Sequence, residues 1–229
     1  ISIRGGNFDQ ALILLNGFKM NDVQTGHHSM NLPVDIESIE RIEILQGPGN
    51  RVFGINSYSG AINFITTSEE TNKLKASLNG GQYNYLHGYA SINYKIKNWK
   101  NYLAVSHKSS DGYLKGESIN NTDFDILNLF YESKLNTQLA DFIVQAGFTD
   151  KSFGANSFYT PAHPWQFENT KTLFAGYKTI KNGKKYNFTK SIFWRRHQDR
   201  FELFREDMYK RNGDLFIYEN DTAPSWYTG

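Results

Sequence analysis

The chain has no cysteine among its 229 residues, which excludes disulfides and thiolate metal sites. Proline is scarce, at five residues, and the formal net charge of +2 is too small to point to nucleic acid. No run approaches the roughly 18 consecutive apolar residues of a spanning helix, so a helical membrane protein is excluded. Catalytic signatures are missing as well. There is no H-E-x-x-H, no phosphate loop and no nucleophile–base pair. His87, His107 and His197 fall on separate predicted strands or loops without a carboxylate pattern. The basic aromatic stretch "KNGKKYNFTKSIFWRRHQDR" reads more simply as a turn, an aromatic band and a loop base than as a nucleic-acid surface. An enzyme and a nucleic-acid binder are therefore not expected.

Aromatic residues are plentiful: four Trp, fourteen Tyr and seventeen Phe make 15% of the chain. Tyr and Phe favour strands, and Gly and Asn punctuate them, so the composition is β-rich. Such aromatics serve either a soluble sandwich core or the interfacial girdles of a membrane barrel. Composition does not separate the two.

The pattern changes near Ser68. Before it, "ALILLNGFKM" reads as a hairpin, with strand Ala11–Leu15, an Asn16–Gly17 turn and Phe18–Met20. "PVDIESIERIEIL" reads as a helical turn with Asp35 as N-cap, leading into a strand near Ile42–Leu45. A dense glycine run, Gly47, Gly49, Gly54 and Gly60, precedes the apolar strand "GAINFIT". Glycine at this density marks positive φ or close approach of another surface.

After Ser68 the residues alternate with period two. Leu86, Ala90, Ile92, Tyr94 and Ile96 alternate with His87, Tyr89, Ser91, Asn93 and Lys95; Phe142, Val144, Ala146 and Phe148 alternate with Ile143, Gln145, Gly147 and Thr149. About seven strands of roughly 8–12 residues are expected. After a short first connection at "GGQY", tight joins near 97, 136 and 182 alternate with long ones at 109–123 and 151–171. A barrel in the outer membrane has this alternation, with short turns on one rim and long loops on the other. One face of each strand would meet lipid and the other water or a plug.

These segments together resemble the TonB-dependent outer-membrane receptors. The match rests on "ISIRG" (1–5), "LILLNGFKMND" (12–22), "IERIEILQGPGNRVFG" (39–54) and "SGAINFIT" (59–66), in the family's order. Asn16 replaces the family's usual Asp in the first hairpin, and Gln46 stands where a basic residue is common before Gly-Pro. The resemblance implies a partial membrane β-barrel, about seven of some 22 antiparallel strands, with a small α+β plug domain in the lumen. The plug would be residues 1–68 and the first barrel strands 69–229. The TonB box, the signal peptide and the remaining strands are expected outside this chain.

The resemblance also implies function: binding a scarce large solute (siderophore, cobalamin, haem or similar) and importing it into the periplasm. The partners implied are the TonB energy-transducing complex, the solute and outer-membrane lipid. A receptor with a mainly signalling or surface-binding role is the alternative. Arg4, Glu40, Arg41 and Glu43 are expected at the plug–barrel interface, paired with the wall. The glycine strip is expected to let the plug backbone pack against the lumen. Ligand contacts are expected from the loop Asn21–Asn31, through Gln24, Thr25, His27, His28 and Met30. The aromatic loop supplies Phe158, Tyr159 and Trp165, and the two loops should converge above the plug. Adjacent histidines point in different directions and chelate poorly, so no metal site is expected, and no cofactor.

Overall fold

The computed structural model describes residues 3, 5–6, 10–21, 28–49, 53–67, 71–113, 121–160 and 162–205, and the backbone of 226–228. It holds two sheets. The smaller is built from β1 (Ala11–Leu15), β2 (Phe18–Lys19), β3 (Ile39–Gln46) and β4 (Gly60–Thr66), in the order β2-β1-β4-β3. β1 runs parallel to β4, while β1–β2 and β3–β4 are antiparallel. Asn16 (φ 49°) and Gly17 (φ 80°) turn the β1–β2 hairpin, as two residues tolerant of positive φ allow. The expected helical turn is a single 3-10 turn, Ile36–Ser38, capped by the Asp35 carboxylate, which accepts from the Glu37 N–H at 3.0 Å.

The larger sheet has eight strands in sequential order: β5 (Lys73–Gly80), β6 (Leu86–Ile96), β7 (Trp99–Ser110), β8 (Phe124–Asn136), β9 (Asp141–Gly154), β10 (Phe167–Asn182), β11 (Asn187–Glu202) and β12 (Trp226–Thr228). All neighbours are antiparallel. The meander puts the tight β6–β7, β8–β9 and β10–β11 turns on one rim. The β5–β6 turn and the long β7–β8 and β9–β10 loops lie on the other. β10 and β11 extend further than alternation of apolar residues predicts. Their pairing continues through polar positions, from Thr172↔His197 to Phe167↔Glu202, where backbone hydrogen bonds hold the ladder without an apolar face to announce it.

The two faces of this sheet invert the soluble pattern. Leu74, Ile92, Val105, Leu129, Val144, Leu173 and Ile192 are exposed on the outer face, whereas Tyr89, Tyr102, Ser106, Phe130, Thr149, Thr170 and Thr172 are buried on the inner one. An apolar face turned outward on each of β5 to β11 fits lipid contact. What buries the polar face is the small sheet. Ile13, Leu15, Phe18 and Met20 share one core with Tyr89, Tyr102, Ala104, Phe130 and Phe174. Each fully buried aromatic or leucine there contributes about 1.5–3 kcal/mol.

Two wall glycines make the seat. A Cβ on Gly147 would lie 2.6 Å from Pro33, and one on Gly176 would lie 2.9 Å from the Phe18 ring. The glycine strip of the small sheet behaves differently from expectation. A Cβ on Gly49 would strike Ser57 and Leu45, and one on Gly60 the Leu45 carbonyl. Gly47 has nothing within 4 Å, and Gly54 meets Lys19 Nζ. Among the described residues, that strip folds the small sheet on itself, and the close approach between sheets comes from glycines of the wall.

Candidate functional site

Two polar regions join the sheets. The first locks the small sheet into the wall along its depth. At its lower end, towards the tight-turn rim, Lys178 Nζ donates to the Asn16 carbonyl at 2.6 Å and sits 4.5 Å over the Phe18 ring. Asn16 Nδ2 donates to Glu132, which also accepts from Gln145. Midway, the Tyr89 and Tyr102 hydroxyls share a hydrogen bond of 2.9 Å, and Tyr89 reaches Ser38. Glu37 accepts from Ser77 and pairs with Lys75 Nζ at 2.9 Å. The Ser77 hydrogen bond and the lysine outweigh desolvation and hold the Glu37 carboxyl below its ordinary range. Higher up, buried Asp35 pairs with buried His87 at 3.1 Å, with Lys108 Nζ 4.0 Å away.

The second region lies towards the long-loop rim. His28, at the end of the β2–β3 loop, is buried, and its Nε2 abuts Oε1 of Glu168 at the start of β10. Tyr159, from the β9–β10 loop, donates to Glu168 Oε2 at 2.6 Å and lies 3.3 Å from His28 Nε2. Asp199 on β11 completes a group in which one ligand atom from each of His28, Glu168 and Asp199 lies within 4.8 Å of the others. Burial pulls the His28 imidazole down, but the hydrogen bond and charge of Glu168, helped by Asp199, hold it above its ordinary value. Burial and the adjacent carboxylates push the Tyr159 phenol up, so it remains a donor. Nearby, Asn31 Nδ2 donates to Thr170 at 3.1 Å and Lys151 Nζ donates to Asn31 Oδ1 at 3.3 Å.

Aromatic rings continue this rim. Phe153, Phe158, Tyr159 and Phe201 form a chain of edge-to-face contacts at 4.8–6.0 Å between centroids. Phe158 is 58% exposed and Tyr159 39%. The loop bearing them is stitched down by Asn121, which donates to the Pro164 and Gln166 carbonyls at 2.8 and 2.7 Å. Arg205 adds an ion pair with Asp123, a contact over Phe167 and a backbone bond to the Trp165 carbonyl.

The structure brings His28 and Tyr159 together, so the two expected loops meet. Met30 is exposed beside them, and Trp165 is half-buried at the far end of the aromatic loop. Gln24, Thr25 and His27 lie outside the described residues, as does Arg4. Glu40, Arg41 and Glu43 are exposed on β3 and pair with one another, Arg41 reaching Glu40 at 3.0 Å and Glu43 at 2.9 Å. Polar contacts between the sheets come instead from residues such as Asn16, Asn21, His28, Asn31, Asp35, Glu37 and Ser38. Glu168 and Asp199 are absent from the residues singled out by motif. The register of β10 and β11 was the one signal available, since it turns both side chains inward.

Against families of known proteins, residues 1–61 match the model described as the TonB-dependent Receptor Plug Domain. That stretch is a plug domain of the kind found in TonB-dependent receptors. In fold, the chain's small sheet resembles the plug of such receptors and its large sheet resembles part of their barrel wall. The chain is 40% identical over 73 residues to the vitamin B12 transporter BtuB of Vibrio vulnificus, a match covering 32% of this chain and 12% of that protein. In fold it is similar to the ferric citrate transporter FecA (TM-score 0.70, 14% identity, covering 86% of this chain and 32% of the other). It is also similar to the ferric-catecholate import receptor Fiu of E. coli K12 (TM-score 0.68, 14% identity, covering 88% and 34%). The copper transporter OprC gives a TM-score of 0.68 at 15% identity, covering 86% and 32%. The chain thus spans about a third of the solved structures that it matches. Receptors of this family are outer-membrane proteins and are not enzymes.

Proposed function

We propose that this chain is the plug and first barrel strands of an importer that captures a scarce, large solute outside the cell and delivers it to the periplasm. The observation that carries this reading is the meeting of plug loop and wall loop at His28 and Tyr159, beside exposed rings, above a plug locked into the lumen. Flat aromatic surfaces with few rotatable bonds suit a planar or macrocyclic ligand. The names of the relatives, which include cobalamin, ferric chelates and copper, favour a metal-containing solute such as a ferric siderophore or cobalamin. Met30, Phe158, Tyr159 and Trp165 are the contacts proposed here, with Gln24, Thr25 and His27 on the adjoining loop.

The outer membrane has no nucleotide energy source, so opening the plug needs work delivered by another protein. The TonB energy-transducing complex is the proposed partner, acting through a TonB box outside this chain. Arg4, Glu40, Arg41 and Glu43 are proposed to face barrel strands that this chain does not contain.

The test is ligand affinity of the full-length receptor for a panel of ferric siderophores, cobalamin and haem. Each arm compares wild type with a Tyr159→Ala, Trp165→Ala double variant. Loss of two aromatic contacts should weaken binding of the cognate solute at least about tenfold, with normal heat-modifiable mobility on gels as the folding control. Equal affinity with normal mobility would remove the aromatic loop from the site.

A further inference from the structure

The geometry points to a resident divalent transition-metal site formed by His28, Glu168 and Asp199, clasping the plug loop to strands β10 and β11. It goes beyond the import reading, because it binds a free ion in the absence of any solute. Three observations carry it. The donors come from three separate elements yet converge within 4.8 Å. Glu168 is fully buried, and its Oε1, apart from the approach of His28 Nε2, accepts no hydrogen bond. The Glu168 and Asp199 carboxylates are themselves hydrogen-bond neighbours. With Glu168 buried and Asp199 half-buried, carboxylates this close are stabilised by a shared proton or a cation between them. One imidazole N–H can serve one acceptor well, while a metal ion serves both carboxylates and the ring nitrogen at once.

The donor set is also chemically apt. One imidazole and two carboxylates suit zinc and its neighbours in the first transition row, and four-coordinate zinc has bonds of about 2.0–2.2 Å. Donors then stand about 3.4 Å apart, so the His28 ring and Glu168 would ease apart and Asp199 would close in. The Tyr159 hydroxyl, donating to the second oxygen of Glu168 at 2.6 Å, supplies the outer hydrogen bond that usually orients a ligating carboxylate. Lys151 and His197 also face the group. Lys151 interacts with both His28 and Glu168, and the His197 ring lies 6.2 Å from that of His28. Adjacent His27 is not needed. The ligands that complete the set lie far along the chain, so no chelating pair stands out by spacing.

The experiment uses the full-length receptor, stripped with chelator and offered Zn2+ or Co2+ alone without solute. Elemental analysis and the visible ligand-field bands of Co2+ are read for wild type and for a Glu168→Gln, Asp199→Asn double variant. Expected is about one ion per wild-type receptor with the intense bands of four-coordinate cobalt, falling at least tenfold in affinity in the variant. Equal metal uptake by both proteins, or none by wild type, overturns the site and leaves a proton-bridged ion pair. Heat-modifiable mobility checks that the variant folds. Should it misfold, wild type alone decides. Zinc slowing proteolysis of the plug, reversed by chelator, supports the clasp; identical proteolysis with and without zinc overturns it. Solute affinity, measured separately, leaves the import reading to stand or fall by itself.

Discussion

Asp35 Oδ2 lies 3.1 Å from His87 Nε2, and both side chains are sealed from solvent. The same aspartate caps the 3-10 turn that follows it, so one carboxylate fixes the local fold of the plug and ties it to the second barrel strand.

Asp35→Ala should therefore free the plug while leaving the barrel assembled. It strips a buried partner from His87 and removes a cap worth about 1 kcal/mol, for a total of roughly 2–4 kcal/mol. Limited proteolysis of the full-length receptor should show faster plug cleavage with unchanged heat-modifiable mobility. Unaltered cleavage would mean that this pair does not hold the plug.

Gly176→Leu should obstruct the seat of the plug. A Cβ at this position already meets the Phe18 and Phe174 rings at 2.9 Å, and overpacking of this kind costs about 1–3 kcal/mol. The lipid-facing surface is untouched, so the barrel should still assemble. Protection of plug amides from hydrogen exchange, compared between variant and wild type, reads the effect; Gly147→Val should act in the same direction through Pro33.

Acid should loosen the mid-depth contact. The Glu37 carboxyl is held below its ordinary value of 4.5, a depressed pKa in the folded state. Its contribution is therefore fully present above about pH 4.5 and lost as pH falls through the lower folded value. Plug protease resistance should decline over that acidic window, and Glu37→Gln should flatten this part of the profile. Identical acid profiles for both proteins would count against it.

Much of the fold was legible because two-residue periodicity survives along most of the long strands. Leu86 to Ile96, or Phe142 to Phe148, alternates for a reason that acts locally: successive side chains of a strand face opposite sides. The Asn16–Gly17 turn and the Asp35 cap are equally local, being set by the φ tolerance and hydrogen-bonding reach of single residues. The upper part of β10 and β11 was not legible, since polar residues such as Glu168, Thr170 and Asp199 carry no apolar rhythm. Nor was the partner of each plug charge. Glu40, Arg41 and Glu43 make a conspicuous run, yet within this chain they pair with each other, while Asp35 and Glu37, five residues or fewer away, reach the wall.

By itself, the sequence determined most of the strands, their inward and outward faces, the alternation of tight turns and long loops, and the plug-domain match of residues 1–61. Tertiary structure alone decided which wall residues the plug meets and that Glu168 and Asp199 join His28 and Tyr159 in one place. The physical reason is range. Alternation and turn chemistry act over a few residues, whereas that cluster is assembled by the stagger of β10 against β11 and the depth at which Phe18 and Pro33 seat against Gly176 and Gly147.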